Sequence, residues 1–183
     1  MAAGDDPDSR RKVEVVDYDP AWPALFEGEA AKVRAALGAA VLAIEHVGST
    51  SVPGLAAKPV IDINLTVADS ADEAAYAAAV EAAGYRLLHR EPDWFEHRMF
   101  KGRDPEVNLH VFSAGCPELD RVRMFRDWLR ANDEDRALYA ATKRDLAGRD
   151  WAHVQDYAEA KTAVVLEIMA RAAAAVDAGK LRP

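Results

Sequence analysis

Hydrophobic residues in the first half of the chain change from helical spacing to strand spacing and back. Apolar positions recur at helical spacing in WPALFEGEAAKVRAALG, which has a proline in its first turn and a glycine at its end, so a helix is predicted over residues 22–38. Strands are predicted over residues 40–47 and 59–67, and the second is rich in β-branched residues after its initial proline. An alanine-rich segment with Ser70 as candidate N-cap predicts a helix over 70–85.

The second half predicts three strands followed by three helices. The strands are YRLL, HRMFK and VNLHVF, and a turn with Gly102, Asp104 and Pro105 joins the last two. Helices are predicted over 117–130, over 133–148 with Asn132 as its cap, and over 153–176 as one long segment. The pattern indicates an α+β fold, with helices packed on a small sheet and a helical C-terminal region. We expect a disordered tail over 1–12 and a single domain over 13–178.

Composition narrows the classes of function. The chain has 183 residues, 50% of them hydrophobic and 30% charged, which is the balance of a folded globular protein. A net charge of −8 argues against binding of extended nucleic acid through a broad basic surface, but it leaves open a small anionic ligand held by a few cations. Short apolar runs, an N-terminus without signal-peptide features and a single cysteine predict a cytoplasmic protein without a membrane partner.

The segment HVGSTSVPGLAAKPVIDINLTV carries the candidate chemistry. Its small and hydroxyl residues Gly48, Ser49, Thr50 and Ser51 follow a strand, and their amides and hydroxyls suit an anion cradle. The alternative is an ordinary turn, in which these hydroxyls only form hydrogen bonds with backbone amides of the loop.

Alternation along the strand after this turn separates two faces. Asp62 and Asn64 share one face, and the other face is wholly apolar and must meet the core: Ile61, Ile63, Leu65 and Val67. A carboxylate at Asp62 suits Mg²⁺, which prefers hard oxygen ligands and bridges phosphates. An isolated strand aspartate is also often only a solvated residue, so it is the combination with the turn that favours a site.

The chain resembles the GrpB family of the nucleotidyltransferase superfamily, which has a polymerase-beta-like fold. The residues that carry the resemblance are EHVGSTSVPGLAAKPVIDI, YDPAWPALFEGE, GYR, NLHVF, FRDWLR and YAEAK, and together they span nearly the whole chain beyond the tail. The resemblance implies a nucleotidyltransferase-like mixed sheet, with Gly48 and Ser49 at the nucleotide phosphates and Asp62 at a divalent metal. Active members of the superfamily usually have further acids where this chain has Asn64 and His110. Asn64 is therefore a candidate metal ligand, and His110 a candidate base or ligand.

The same resemblance suggests further phosphate-binding residues. A lysine from the C-terminal helical region reaches the triphosphate in related folds, which makes Lys161 and Lys143 candidates, with Tyr157 on the same helical face as Lys161. Lys58 precedes the strand that carries Asp62. With the family's strand order, Arg98 and His110 are expected to open onto the cleft of Asp62. Surface lysines are the ordinary alternative for the cations.

Two main hypotheses follow from the sequence. In the first, the protein binds a nucleoside triphosphate with Mg²⁺ and transfers a nucleotidyl or phosphoryl group to a small acceptor. In the second, it is a non-catalytic nucleotide- or phosphometabolite-binding module, accessory to coenzyme A metabolism, since the family also occurs fused to dephospho-coenzyme A kinase domains. A third alternative is a phosphotransferase or ligase that acts through His110. The sequence specifies neither the acceptor, nor the nucleotide, nor the oligomeric state.

Overall fold

The fold is a five-stranded mixed sheet with helices on both faces, as a computed structural model that describes residues 14–149 and 154–179 shows. The strands are β1 (Ala43–Val47), β2 (Ile61–Val67), β3 (Arg86–Glu91), β4 (His97–Gly102) and β5 (Val107–Ser113). The helices are α1 (Trp22–Leu37), α2 (Ala77–Ala82), α3 (Pro117–Ala131), α4 (Asp133–Ala147), α5 (Val154–Ala160) and α6 (Thr162–Asp177). The α+β prediction is confirmed, whereas the predicted tail over 1–12 lies outside the described residues.

The strands lie in the order β1-β2-β5-β4-β3. Only β2 and β5 are parallel neighbours, and the other three pairs are antiparallel. The register places Asp62 beside Asn108, and Asn64 beside His110. These four side chains therefore lie on one face in two adjacent rows, because laterally paired residues point to the same side of a sheet.

The opposite face carries the main core. Helices α1 and α2 contact the strands there, and the alternate residues of β2 that were predicted to face the core are at most 5% exposed. Trp22, Phe26 and Val33 of α1 pack in the same cluster, together with Tyr76 and Phe100. Burial of this much apolar surface is the dominant stabilising contribution to the fold.

Helix α3 lies on the face of Asp62, beside the edge strand β1. Arg123 of α3 makes two hydrogen bonds to the carboxylate of Glu45, and Arg126 donates to the carbonyl of His46 at 3.1 Å. A second core joins α3, α4 and α6 to the loop after β1 through Val52, Leu55, Leu129, Tyr139 and Ile168. The sheet is therefore covered near β1 on this face, and Asp62 lies where that cover ends. Within the described ranges, no helix is long and apolar enough to span a membrane.

Two helix predictions differ from the structure. The helix predicted over 70–85 is reduced to α2 and a 3-10 turn at Glu73–Ala75. Ser70 is not its N-cap, because its amide and hydroxyl hydrogen-bond the hydroxyl of Ser113 on β5. The long C-terminal helix is interrupted at Lys161, between α5 and α6. By contrast, Asn132 caps α4 as predicted, accepting from the amide of Asp135 at 2.8 Å.

Candidate functional site

Gly48 is the residue that allows β1 and β2 to meet at the site. Its backbone has φ 68° and ψ −174°, a conformation that is essentially restricted to glycine. A Cβ atom at this position would lie 2.5 Å from Oδ2 of Asp62. The glycine is therefore required twice, for its backbone angles and for the close approach of the Asp62 carboxylate.

The residues after Gly48 form a 3-10 turn, Ser49–Ser51. Its internal bonds use the amides of Ser51 and Val52, and the amides of Ser49 and Thr50, as the first of the turn, have no acceptor within it. The hydroxyl of Ser51 donates to the Gly48 carbonyl at 2.6 Å, and that of Thr50 donates to the Val60 carbonyl at 3.1 Å. Both side chains are buried and hold the turn in shape, so the structure gives their hydroxyls a structural role and not the predicted contact with phosphate.

Lys143 of α4 lies beneath this turn. Its ammonium group donates to Ser49 Oγ at 2.8 Å and to the carbonyl of Ala56, and it lies 4.6 Å from the ring centroid of Tyr139. Only 2% of the residue is exposed, and this burial, with the nearby Lys161, lowers its pKa to about 7. Lys143 was predicted to bind phosphate, and the structure places its ammonium group beneath the turn, bonded to Ser49 and Ala56.

Asp62 is the carboxylate at the centre of the site. Its Oδ1 accepts from Asn108 Nδ2 at 2.8 Å and lies 3.7 Å from His110 Nε2. Burial acts to raise the pKa of Asp62, but His110, Asn108 and Lys161 together hold it below its ordinary value. Lys101 in turn donates to Asn108 Oδ1 at 3.0 Å, which fixes the orientation of the amide. Asp62 and His110, predicted as the catalytic pair, are thus brought together at the site.

One further predicted cation, Lys161, is electrostatically coupled to Asp62. Lys161 lies at the junction of α5 and α6, and its ammonium group is 4.5 Å from the ring centroid of Tyr157. Burial lowers the pKa of Lys161, while Asp62 acts to raise it and Lys58 to lower it. Tyr157 is itself buried, against Leu146, so it supports Lys161 through its ring face. Lys161 therefore contributes positive charge beside the carboxylate, and Lys58 lies close enough to Lys161 to affect its pKa.

Arg98 lies on the wrong side of the sheet for this cleft. It pairs with Val111 across β4 and β5, and it points to the core face, where its guanidinium donates to Glu73 at 2.6 Å. The expectation that Arg98 opens onto the cleft of Asp62 is therefore wrong. Its neighbour Phe100, on the same face of β4, is fully buried in the core. His46 also faces the core, stacked on Phe26.

Three residues at the site were missed or set aside at the level of sequence. Asn108 belongs to a strand that was predicted, but its contact with Asp62 depends on the parallel β2–β5 register. His97 shows no metal-ligand spacing in the sequence, yet its Nε2 lies 3.0 Å from His110 Nδ1. Glu91, at the end of β3, lies 2.7 Å from the other ring nitrogen of His97. Strand alternation placed His110 correctly, and only the β4–β5 pairing reveals its partner.

A pocket of about 190 Å³ opens beside the turn. Gly48 and Ser49 form one wall, and the remainder is mostly apolar, from α3, α4, α6 and the loop after the turn: Val52, Val122, Phe125, Leu129, Tyr139 and Val165. Arg121 and Arg126 complete the lining. The pocket therefore joins an apolar chamber to the backbone that approaches Asp62.

The donor set at Asp62 limits which metal chemistry the site can support. In the ranges 14–149 and 154–179, no three His, Cys, Asp or Glu residues form a metal-binding group. Asn64, the second predicted ligand, is 3% exposed in the adjacent row, and its amide nitrogen has no hydrogen-bond partner among the described residues. The nearby Glu45 is already held by Arg123. This set does not fit two metal ions, but one carboxylate fits Mg²⁺ that arrives with phosphates.

Comparisons with known proteins identify the family. A family model described as "GrpB protein" matches residues 12–171. A UPF0157 protein of Halalkalibacterium halodurans is 59% identical over 160 residues, which cover 87% of this chain and 82% of that protein. The crystal structure of conserved protein GrpB from Enterococcus faecalis matches with a TM-score of 0.78 at 31% identity, over 87% of this chain and 96% of that one. A dephospho-CoA kinase of Mycobacterium tuberculosis is 32% identical, with 96% of this chain matching 49% of that protein. The chain belongs to the GrpB family.

Proposed function

We propose that the protein binds a nucleoside triphosphate between the Gly48–Ser51 turn and Asp62, and transfers a nucleotidyl or phosphoryl group to a small acceptor. The observation that carries this proposal is the packing of the Gly48 backbone against the Asp62 carboxylate, with Lys161 coupled to the same carboxylate. A glycine backbone, which has no side chain to block the approach, and a nearby positive charge both favour the binding of phosphate oxygens here.

The adjoining pocket supports a ligand with an apolar or planar part. Its volume of about 190 Å³ is below the range of about 300–1,000 Å³ usual for sites of drug-sized ligands. It suits one ring system whose phosphates extend past Ser49 towards Asp62. Arg121 and Arg126 also line the pocket, but their charges are already paired, with Glu118 and with Asp127.

The chemistry would rest on His110 and Asp62. In the transfer reaction His110 accepts the proton of the attacking hydroxyl, and the negative charge of Asp62 stabilises the imidazolium that forms. Asp62 is also the residue that would hold Mg²⁺, whereas Asn64, the other predicted ligand, is buried. When bound, Mg²⁺ would neutralise phosphate charge.

A second function, binding without catalysis, is favoured by the single carboxylate at the site. Two-metal phosphoryl transfer needs acids that hold both ions, and the positions of Asn64 and His110 do not supply them. Under this alternative the protein binds a nucleotide or phosphometabolite and serves coenzyme A metabolism. The relatives named dephospho-CoA kinase, of which this chain matches about half, support that context.

Calorimetric titration with ATP, GTP, CTP and UTP, with and without Mg²⁺, tests the binding site. We expect one nucleotide to bind to wild-type protein and its affinity to fall at least ~10-fold in Asp62→Ala, the equivalent of about 1.4 kcal/mol. Asp177→Ala, at the exposed end of α6, is the matched control and should bind like wild type.

Labelled triphosphate then separates the two functions. Release of a labelled product that depends on both Asp62 and His110 supports transfer. Recovery of intact bound nucleotide across an acceptor screen supports the binding module. If none of the four triphosphates binds, a nucleoside triphosphate is rejected as the ligand under both proposed functions.

A further inference from the structure

The side chains of Glu91, His97, His110 and Asp62 form a row across the sheet. Glu91 Oε2 lies 2.7 Å from His97 Nδ1, His97 Nε2 lies 3.0 Å from His110 Nδ1, and His110 Nε2 lies 3.7 Å from Asp62 Oδ1. The two imidazoles are nearly parallel, with 5.2 Å between ring centroids, and His97 is 3% exposed. The row starts at a half-exposed carboxylate on the edge strand and ends at the candidate catalytic carboxylate.

The distances along this row decide the direction of its hydrogen bonds when both imidazoles are neutral, because Glu91 is bonded to His97 at 2.7 Å whereas Asp62, 3.7 Å from His110, lies beyond hydrogen-bond distance. A carboxylate only accepts, so His97 must carry its proton on Nδ1 and donate it to Glu91. His97 Nε2 is then an acceptor, which requires His110 to donate from Nδ1. The remaining nitrogen, His110 Nε2, has no proton and faces Asp62.

The environment of His97 favours the neutral ring that this argument needs. Its ring packs against Phe112 at 4.7 Å and Trp94 at 5.0 Å between centroids. Burial lowers the pKa of His97 below its ordinary value, although its hydrogen bond to Glu91 acts in the opposite direction. An imidazole enclosed by aromatic rings and fixed at both nitrogens is also a rigid support for its neighbour.

We propose that Glu91 and His97 are positioning residues that hold the proton of His110 on Nδ1, so that Nε2 is the atom that accepts a proton in the cleft. This inference rests on the proposed function only for its final step. In that step the O–H bond of the acceptor hydroxyl breaks, its proton forms an N–H bond at Nε2, and the oxygen keeps the electron pair for attack on phosphorus. The position of the proton in the resting protein is independent of any ligand.

Two-bond ¹⁵N–¹H correlation NMR on protein labelled at histidine, at about pH 8, where neutral imidazole is the ordinary form, shows which ring nitrogen carries the proton. We expect the Nδ1–H form for both His97 and His110, with the His110 signals assigned by their loss in His110→Asn. An Nε2–H form of His110 in wild type would overturn the proposal.

Substitution of Glu91, at the exposed end of the row, should reverse the direction of the hydrogen bonds along it. Glu91→Lys replaces an acceptor by a donor, so His97 should accept at Nδ1 and the proton of His110 should move to Nε2. Glu91→Gln retains an acceptor oxygen and should keep the wild-type pattern. Arg86→Gln, at an exposed position of β3, is a control that should change neither ring. An unchanged His110 in Glu91→Lys would contradict the relay.

Kinetics distinguish this proposal from the proposed function. If a transfer activity is found, Glu91→Lys should lower kcat at least ~10-fold with KM nearly unchanged, and Glu91→Gln should restore most of it. Absence of nucleotide binding would reject the proposed function and leave the NMR result intact. A reversed proton pattern with an unchanged kcat would reject the catalytic role of His110 Nε2.

Discussion

The two faces of β2 differ in what their side chains contribute. Ile61, Ile63 and Leu65 are at most 1% exposed in the core under α1 and α2, whereas the side chain of Asp62, between the first two, is 28% exposed. Adjacent residues thus lie in an apolar interior and at the edge of a cleft. The strand is rigid because of the first face, and that rigidity holds the carboxylate on the second.

The second face is not simply a solvent-exposed one. Asn64 is buried on it beside His110, and α3 covers the sheet near β1. Asp62 and His110 reach the point where the cover ends, with side chains 28% and 25% exposed, whereas Asn64 does not. Polar residues on this face therefore differ in accessibility, although strand alternation treats them alike.

The largest expected effect is a difference in unfolding free energy between substitutions on the two faces of β2. Ile63→Ala should lower the free energy of unfolding by about 2–5 kcal/mol, because it leaves a cavity in a fully buried cluster. Asp62→Asn keeps the side-chain shape and should cost clearly less, measured by urea unfolding. The folded Ile63→Ala protein should retain ligand affinity. Equal destabilisation by both changes would mean that Asp62 belongs to the core and not to a site.

A smaller effect is expected at the glycine beside Asp62. Gly48→Ala should destabilise the protein by about 1–3 kcal/mol through backbone strain, and it should also abolish phosphate binding, because the new Cβ displaces the Asp62 carboxylate. Gly54→Ala is the matched control. Like Gly48, it has a positive φ, here 78°. A Cβ atom added to Gly54 would have Arg136 Nε as its nearest neighbour, at 3.8 Å. Unfolding and calorimetry should therefore show strain in both variants and loss of binding in only one.

Local signals in the sequence predicted the elements that need no distant partner. The proline and glycine at the ends of α1, and the Asn132 cap of α4, act within one or two turns of chain. The sequence also predicted that the Gly48 turn and Asp62 belong to one site, but not that the glycine backbone packs against the carboxylate. The shortened α2 was not predicted, since Ser70 bonds to Ser113 and Glu73 to arginines on strands that come later in the chain.

Register accounts for the rest of the site. Alternation already placed Arg98 with Phe100, so its position in the core follows once Phe100 is recognised as buried. The partnership of His97 and His110 requires the pairing of β4 with β5, which no single segment encodes. The interruption of the C-terminal helix at Lys161 has no proline or glycine to mark it.

The smallest predicted effect is the change in unfolding free energy with pH that arises from the buried Lys143. Above about pH 7 Lys143 is neutral in the folded protein, whereas in the unfolded chain it keeps its proton up to its ordinary pKa of 10.5. The unfolded state then binds more protons, so stability should rise from pH 7 to 8, by at most about 1.4 kcal/mol. Urea unfolding at the two pH values should show a smaller rise in Lys143→Met, while Ile63→Ala, on the core face, should keep the wild-type rise. Equal slopes in wild type and Lys143→Met would show that the ammonium group beneath the turn stays charged, and the Gly48–Ser51 turn would then rest on a permanent cation.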